Sequence, residues 1–510
     1  MLFNSFTFLF LFLPVTAIGY FIIARRSHVS AAIWLAAASL VFYGGWSLAY
    51  IPLLLGSVVF NYWMGRHIGA ATGSARKRWL VSAIVADLLL LGYFKYADFF
   101  ISGVNLAAGT EFPVLRIVLP IGISFYTFTQ IAYLVDTYQG KVREGRFVHY
   151  LLFITYFPHL IAGPVLHHAE MMPQFDRPSS YQFSYRNVAV GLSIFAIGLS
   201  KKVLIADNLA PHAGFLFDQS DQFSLLLAWG GVFAYSFQLY FDFSGYSDMA
   251  IGISLLFGIR LPLNFDSPYK AVNIVDFWRR WHMTLSRFLR DYLYIPLGGN
   301  RKGPLRRHIN LMLTMVLGGL WHGAGLNFIV WGALHGCYLV LNHGWQALAE
   351  KIRFPRASQA WKVASIALTF LAVCVAWVFF RATEFGKAAL ILQGMAGQHG
   401  VSLPASIGLQ LGGLKPLLEQ AGVGFYLGGG ARFLGTWGWV MFAAAIAFLF
   451  PNTQQIMRHY ESRPMDATHG HLAAWMTWRP TRRWSLCLGA LLVGSLLSLS
   501  RPTEFLYFQF

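Results

Sequence analysis

Charged residues are scarce in this sequence. Only 12% of its 510 residues are Asp, Glu, Lys or Arg, whereas 56% are hydrophobic. A soluble domain carries roughly 25% charged residues, so a water-facing globule of this length is excluded. Apolar stretches recur along the whole chain, and some are short or interrupted by Gly and Pro. Because about 20 apolar residues cross a bilayer as a helix, the sequence predicts an all-α polytopic bundle of about 11 to 13 spans, with re-entrant or interfacial helices.

Cysteine and the common catalytic motifs are also scarce. The three cysteines, Cys337, Cys374 and Cys487, lie in apolar contexts and form no C-x-x-C pair. They predict buried, unreactive thiols rather than a disulfide framework or a zinc site. The sequence has no H-E-x-x-H, G-x-S-x-G, P-loop or dinucleotide motif. These absences disfavour a metal site, a serine nucleophile, an ATPase and a Rossmann dehydrogenase.

Acidic residues are outnumbered by basic ones, 21 to 39, and the formal net charge is +18. The basic residues cluster between apolar stretches, at 25–26, 76–78, 351–356 and 479–483. Cytoplasmic loops of membrane proteins have this pattern, and no aromatic–basic motif indicates a nucleic-acid partner. Arg25 and Arg26 follow the first apolar stretch, whereas the basic residues of a cleaved signal peptide precede it. We therefore expect a first spanning helix with its N-terminus outside the cytoplasm.

One histidine stands at the end of an uncharged apolar stretch. His322 follows residues 311–321, and Gly318, Gly319 and Gly323 surround it. Glycines at these positions let a substrate or another backbone come close. A lone intramembrane histidine is equally consistent with packing and with function. The GGLWHG context favours function, so His322 is the first candidate for a catalytic base.

A second histidine lies in an aromatic and basic segment. Phe277, Trp281, Leu285, Phe288 and Leu289 recur at helical spacing, which predicts an amphipathic helix at the interface or entering the protein. His282 lies on this helix, and its imidazole can accept a proton or orient a second histidine. The residues alone favour an interfacial side chain. Arg279 and Arg280 can hold an anionic donor such as a phosphopantetheine phosphate, although topology explains most arginines here.

Two aspartates follow another apolar stretch. Asp242 and Asp248 can pair with these arginines, polarise a histidine, or lie solvated among lipid headgroups. A further cluster contains His159, His167 and His168, but its spacing matches no metal motif. No metal is therefore predicted.

Six blocks of the sequence resemble bacterial membrane-bound O-acyltransferases, and among them the alginate O-acetyltransferase branch. They occur in order: LPIGISFYTF (119–128), FPHLIAGPV (157–165), QLYFDFSGYSDMAIG (238–252), FWRRWH (277–282), RDYLYIPLGGN (290–300) and GGLWHG (318–323). The resemblance covers nearly the whole chain and is weakest from Thr383 to Arg483. It implies one membrane domain, 1–510, around a central channel, with a catalytic core at about 117–345 and peripheral helices at 1–116 and 361–510.

The resemblance also implies roles for single residues. His322 matches the essential histidine of the family, and His282 matches a second, more variable polar position. Other residues of the chain are candidates for binding the donor or substrate, or for supporting the histidines: Trp321, Asp242, Asp248, Arg279, Arg280, Trp278, Tyr294, Asn300 and Gly319.

The function that the resemblance implies is O-acetylation of an exopolysaccharide, with alginate the leading glycan and cellulose or another envelope glycan the alternative. The acetyl group is expected from acetyl-CoA or another acyl thioester in the cytoplasm, with no tightly bound cofactor. It is expected to cross the bacterial inner membrane to periplasmic acetyltransferase partners. The protein is then a multi-pass inner-membrane protein in contact with lipid, with a periplasmic N-terminus.

Two other functions remain open. A transporter can carry an acyl group across the membrane without chemistry, although the sequence has no obvious inverted repeat. A scaffold can dock periplasmic acetylases, although it needs no histidine beside tandem glycines. Thioester cleavage by the purified protein distinguishes an enzyme from both.

Overall fold

A computed structural model describes residues 1–142, 145–161, 163–221, 223–356, 358–460, 473–500 and 506. This part of the chain is mainly helical with almost no strand, which confirms the all-α class. Five helical segments in it are long and apolar enough to cross a bilayer: Leu48–Ala70, Gly73–Ala108, Tyr185–Gln219, Gln359–Arg381 and Gly430–Leu449. Two shorter apolar segments, Phe8–Ala24 and His28–Gly44, accompany them. The polytopic architecture is thus confirmed, and the count of 11 to 13 crossings stays a prediction.

The N-terminal helices begin with a π-helical turn, Phe8–Phe12. Short 3-10 turns occur at Leu48–Tyr50 and Pro178–Tyr181. The helices are α1 Leu13–Ala24, α2 His28–Gly44, α3 Ile51–Ala70, α4 Gly73–Ala108, α5 Ile123–Tyr138, α6 Phe147–Thr155, α7 Phe157–Leu160 and α8 His168–Phe175.

The central helices include the longest buried one, α11. They are α9 Tyr185–Ser200, α10 Asp207–Gly214, α11 Leu225–Leu256, α12 Ile274–Arg280, α13 Met283–Leu289, α14 Gly303–His322 and α15 Leu326–Lys351. Non-α turns lie between them: the π-helical Lys201–Ala206, Phe215–Gln219 and Arg290–Tyr294, and the 3-10 Pro268–Lys270.

The C-terminal part contains an element that was not expected in an all-α protein. Within 383–430, which the sequence left unplaced, strand β1 Val401–Pro404 pairs in parallel with β2 Val423–Tyr426. The remaining elements are α16 Gln359–Arg381, α17 Phe385–Met395, α18 Ala405–Gln410, α19 Leu414–Gln420, α20 Gly430–Leu449, α21 Thr453–Met457, a 3-10 turn Ala474–Met476 and α22 Arg482–Ser498.

Helix α11 joins the two large buried clusters of apolar side chains. It packs on α9 through facing glycines. A Cβ atom built on Gly198 would lie 2.6 Å from the carbonyl oxygen of Gly245, and one built on Gly252 would lie 2.5 Å from that of Gly191. Only glycine permits this approach, which is the usual way for helices to pack closely in a membrane.

Helices α14 and α15 also meet through glycines. A Cβ atom on Gly319 would overlap the carbonyl oxygen of Phe328, and one on Gly332 would overlap that of Met315. Gly336 faces the Met312 sulfur, which would lie 2.7 Å from an added Cβ. The close approach predicted at Gly319 is therefore that of the α15 backbone.

The single amphipathic helix predicted around His282 is two short helices. Between α12 and α13, His282 adopts a left-handed backbone conformation with φ 43°. The backbone there bonds to another segment: the Met283 amide donates to the Asn264 carbonyl, and the Asp266 amide donates to the Arg280 carbonyl. These bonds replace intrahelical ones and break the helix. The predicted apolar stripe is nevertheless buried along its length, so the segment enters the protein.

The cysteine prediction was wrong in part. Cys374 is buried and accepts a hydrogen bond from Ser236, but Cys337 and Cys487 are exposed. Both belong to helices whose outer faces are apolar. Lipid tails are as apolar as a protein core. An apolar sequence context therefore does not show whether a cysteine is buried in the protein or exposed on the outer face of the bundle.

The contact between α14 and α15 predicts that replacing two glycines of α15 by alanine has opposite effects on the free energy of unfolding. Gly332→Ala should lower the free energy of unfolding by about 1–3 kcal/mol, because the added methyl group overpacks the contact. Gly344→Ala, on the same helix with no atom within 4 Å of the added Cβ, should raise it by up to about 1 kcal/mol through helix propensity. Thermal unfolding in detergent, followed by tryptophan fluorescence, measures both. Equal shifts for the two variants would contradict the glycine contact.

Candidate active site

His322 is the last residue of α14, and its ring has aromatic neighbours from three helices. Ring centroids lie 4.8 Å away for Trp321, 5.1 Å for Trp331 and 5.1 Å for Phe380. The chain then leaves the helix at Gly323 in extended conformation. The imidazole thus stands at a helix end, where no further turn covers it.

A cavity of about 110 Å³ opens beside His322. Its wall consists of His322, Trp321, Lys95, Trp46, Ile161 and the segment 119–125. Gly122 brings this segment close: it has φ +73°, and an added Cβ would lie 2.8 Å from the Leu160 carbonyl oxygen. Three of the blocks that carry the resemblance therefore meet at this cavity. Its volume accommodates several water-sized groups.

The end of α14 is held by two residues of α4. The Lys95 ammonium donates to the carbonyl of Trp321 and, over 3.0 Å, to that of His322, and it lies 3.4 Å from the Ser124 hydroxyl. The Tyr96 hydroxyl donates to the Leu320 carbonyl over 2.7 Å. Sequence analysis missed both residues. A lysine inside a long apolar helix was the available signal.

His282 lies in the protein interior, only 1% exposed, so the interfacial position favoured for it was wrong. Its Nδ1 is 3.2 Å from the Asn264 side-chain oxygen, which also accepts a hydrogen bond from the Thr284 hydroxyl. The His282 ring lies 6.5 Å from that of Trp321. Trp321 therefore contacts both predicted histidines, and the structure brings them to one aromatic wall.

A third histidine, His335, was not predicted. It is fully buried, and its ring lies 4.8 Å from Trp331 and 5.1 Å from Trp278. Within the described part of the chain, neither of its ring nitrogens has a hydrogen-bond partner. The Trp331 ring lies close to the rings of both His335 and His322. The predicted supporting residue Trp278 thus reaches this neighbourhood.

The predicted aspartates pair with lysines, not with arginines or headgroups. Asp242 is 2.5 Å from the Lys202 ammonium, and Asp248 is 2.6 Å from that of Lys201. Both carboxylates are buried. The glycine contact between α9 and α11 explains the pairing, because an added Cβ on Gly245 would lie 3.1 Å from the Lys201 Cβ. These pairs tie the π-helical turn that follows α9 to α11, and a direct role in binding stays a prediction.

The other predicted donor-binding residues have local partners or face outwards. Arg280 pairs with Asp276 at 2.8 Å, and Arg279 and Asn300 are exposed. Tyr294 accepts a backbone hydrogen bond from Gly299, which in turn accepts one from the Asn310 side chain. Their predicted roles at the donor stay predictions.

The histidines of the second cluster, His159, His167 and His168, form hydrogen bonds with neighbouring groups. His159 Nε2 lies 2.8 Å from the Phe153 carbonyl, and His168 Nδ1 lies 2.9 Å from the Asp136 carboxylate. Tyr292 donates to Asp136 and contacts His167. Across the described residues, no group of three or more His, Cys, Asp or Glu side chains is arranged to hold a metal.

Comparisons with known proteins agree with the resemblance. The model of the membrane-bound O-acyltransferase family matches residues 46–383. The peptidoglycan O-acetyltransferase of Helicobacter pylori is 48% identical over 79% of this chain and 81% of its own. The probable alginate O-acetylase of Azotobacter vinelandii is 46% identical over 76% of each chain. That of Pseudomonas aeruginosa is 43% identical over 78% of this chain and 75% of its own.

The buried ion pairs beside the contact of α9 with α11 predict that replacing two different basic residues destabilises the protein to very different degrees. Lys202→Met leaves the carboxylates of Asp242 and Asp207 without their buried cation. It should cost about 3–5 kcal/mol of unfolding free energy. Arg290→Met removes an exposed pair with Asp291 and should cost at most about 1 kcal/mol. The midpoint of thermal unfolding in detergent compares them, and similar midpoints would argue against the buried network.

Proposed function

The chain belongs to the membrane-bound O-acyltransferase family, and from that premise we propose that it O-acetylates a glycan of the cell envelope with His322 as its catalytic base. The enzyme class follows from the family and from relatives named O-acetyltransferase. One observation carries the residue assignment: the His322 imidazole ends α14 and lines the cavity that three of the family-like blocks form. All residues that line this cavity fall within the matched region.

The proposed chemistry is a general-base acyl transfer. His322 accepts the proton of an acceptor hydroxyl, and the hydroxyl oxygen attacks the thioester carbonyl. The C–S bond breaks, the thiolate takes the proton from the imidazolium, and the products are an acetyl ester and a thiol. General-base assistance contributes roughly 100- to 10,000-fold. The aromatic walls around His322 restrict water, which suppresses hydrolysis of the thioester.

His282 is proposed as the second polar residue of the site. Its Nδ1 is held by Asn264, so its ring orientation is fixed. Its ring and that of His322 both lie near the Trp321 ring, and it is proposed to orient the site or the substrate rather than to accept the acceptor proton. Replacement of His282 is therefore expected to reduce the rate less than replacement of His322.

The side from which each substrate enters is proposed from the charge pattern. Helix α14 begins directly after Arg301 and Lys302 and ends 20 residues later at His322, about 30 Å away for an α-helix. Basic loops mark the cytoplasmic side. His322 and its cavity then lie toward the periplasmic face. The donor, acetyl-CoA or another acyl thioester, enters from the cytoplasm, no cofactor is tightly bound, and the acetyl group leaves toward periplasmic acetyltransferase partners.

In this orientation the protein lies in the bacterial inner membrane with its N-terminus in the periplasm. The apolar, exposed outer faces of the helices are expected to contact lipid. The rival functions are a transporter that carries an acyl group without catalysis and a scaffold for periplasmic acetylases. Neither is supported by a histidine that lines a cavity at a helix end whose carbonyls are hydrogen-bonded.

Two glycans are candidates. Alginate is supported by the similarity to probable alginate O-acetylases over about three quarters of each chain. Peptidoglycan is the other candidate, because a peptidoglycan O-acetyltransferase is 48% identical over 79% of this chain, slightly more similar than the alginate O-acetylases. Acetyl esters released by mild alkali from the secreted polysaccharide and from purified peptidoglycan separate the two.

The assignment of His322 predicts a loss of glycan acetylation in cells. His322→Ala should lower alkali-labile acetate on the modified glycan about 100-fold or more, and His282→Ala should lower it less. The control is His399→Ala, which changes an exposed histidine and should leave acetylation unchanged. Membrane levels of all variants are matched by immunoblot. Normal acetylation with His322→Ala would remove this residue from the chemistry.

A further inference from the structure

Helix α14 ends inside the bundle, and this creates an electrostatic problem. The last carbonyls of an α-helix have no intrahelical partner, and burying a backbone carbonyl without another partner is costly. Here the carbonyls of Leu320, Trp321 and His322 are satisfied by two side chains of α4, Tyr96 and Lys95. The helix that carries the proposed base is therefore held at its end by a neighbouring helix.

Lys95 is an unusual residue for this position. It lies within Gly73–Ala108, a segment apolar enough to cross a membrane. A charged side chain there is costly and usually functional. Among the described residues, its ammonium contacts two carbonyls, the Ser124 hydroxyl and the face of the Trp321 ring, whose centroid is 5.9 Å away. No carboxylate in this part of the chain forms an ion pair with it.

The contacts of Lys95 point to the proposed reaction site. Its ammonium lines the same cavity as His322. It is bonded to the His322 carbonyl itself, so a shift of the ammonium shifts the backbone that carries the imidazole. A cation at a helix C-terminus is also favoured by the helix dipole.

We propose that Lys95 is the positioning residue of this site, because its ammonium closes the carbonyl end of α14 and fixes His322 at the cavity. The ammonium directs hydrogen bonds to Trp321, His322 and Ser124, so it acts through His322 and not on the substrate. This inference rests on the proposed role of His322. A displacement of about 1 Å in a catalytic group can cost on the order of 100-fold in rate, which is the size of the effect expected here.

The test compares variants in full-length protein at matched membrane levels, with alkali-labile glycan acetate as the readout. Lys95→Met keeps an unbranched side chain that is one atom shorter and removes the charge, and it should lower acetylation on the order of 100-fold. Lys95→Arg keeps the charge and donors, and should recover activity to within about tenfold of wild type. Leu89→Met, on the exposed face of the same helix, is the neutral control. His322→Ala is measured beside them.

Tyr96→Phe is the matched variant at the same helix end. It removes the bond to Leu320 but leaves both contacts of Lys95 with Trp321 and His322. It should reduce acetylation by less than about tenfold. If Tyr96→Phe lost as much as Lys95→Met, the effect would be a general loosening of the helix end, and the specific role of Lys95 would be wrong.

The outcomes separate this inference from the proposed function. Loss with His322→Ala together with near-normal acetylation in Lys95→Met overturns the inference alone. Normal acetylation with His322→Ala overturns the proposed function and the inference with it. Loss in Lys95→Met with recovery in Lys95→Arg supports both. If Lys95→Met does not accumulate, Lys95→Gln replaces it under the same criterion.

Discussion

Helix α14 has to end in the protein interior for His322 to reach a cavity, and the rest of the site depends on how that end is stabilised. On one side, Gly319 and Gly332 let α15 approach to backbone contact. On the other side, Lys95 and Tyr96 bond to the terminal carbonyls. Without such partners, the unsatisfied carbonyls would be costly in a membrane. The position of the proposed base is thus set by α15, the next helix in the chain, and by α4, which is distant from it in the sequence.

A second set of buried contacts holds the centre of the bundle. Glycines allow α9 and α11 to touch, and the same closeness brings the turn at Lys201 and Lys202 onto Asp242 and Asp248. A buried charge is tolerated only with a partner, and removing one partner is expensive. These pairs therefore fix how α9 and α11 sit together, while α11 joins the two buried clusters around them. The few charges of this chain serve architecture as well as topology.

The fold class was predictable from the sequence because it depends on local signals, and so was the choice of His322 as a candidate, although its catalytic role stays a prediction. Apolar stretches indicated helices, and the GGLWHG context indicated His322. The break at His282 was not predictable, since backbone bonds to Asn264 and Asp266 from another segment cause it. The lysine partners of Asp242 and Asp248 were not predictable either, because they also come from another segment of the chain. His335 and Lys95 were visible as polar residues in apolar helices, but only the folded arrangement brings them beside the site.

The central claim is that His322 catalyses acyl transfer in this protein. The most direct measurement is thiol release from acetyl-CoA by the purified protein in lipid nanodiscs, supplied with a glycan oligosaccharide as hydroxyl acceptor. It compares wild type with His322→Gln, which keeps a polar side chain of similar size. The account predicts steady release by the wild type and a rate lowered about 100-fold or more by the substitution. Equal rates for the two proteins would contradict it, because the thioester would then be cleaved without the imidazole.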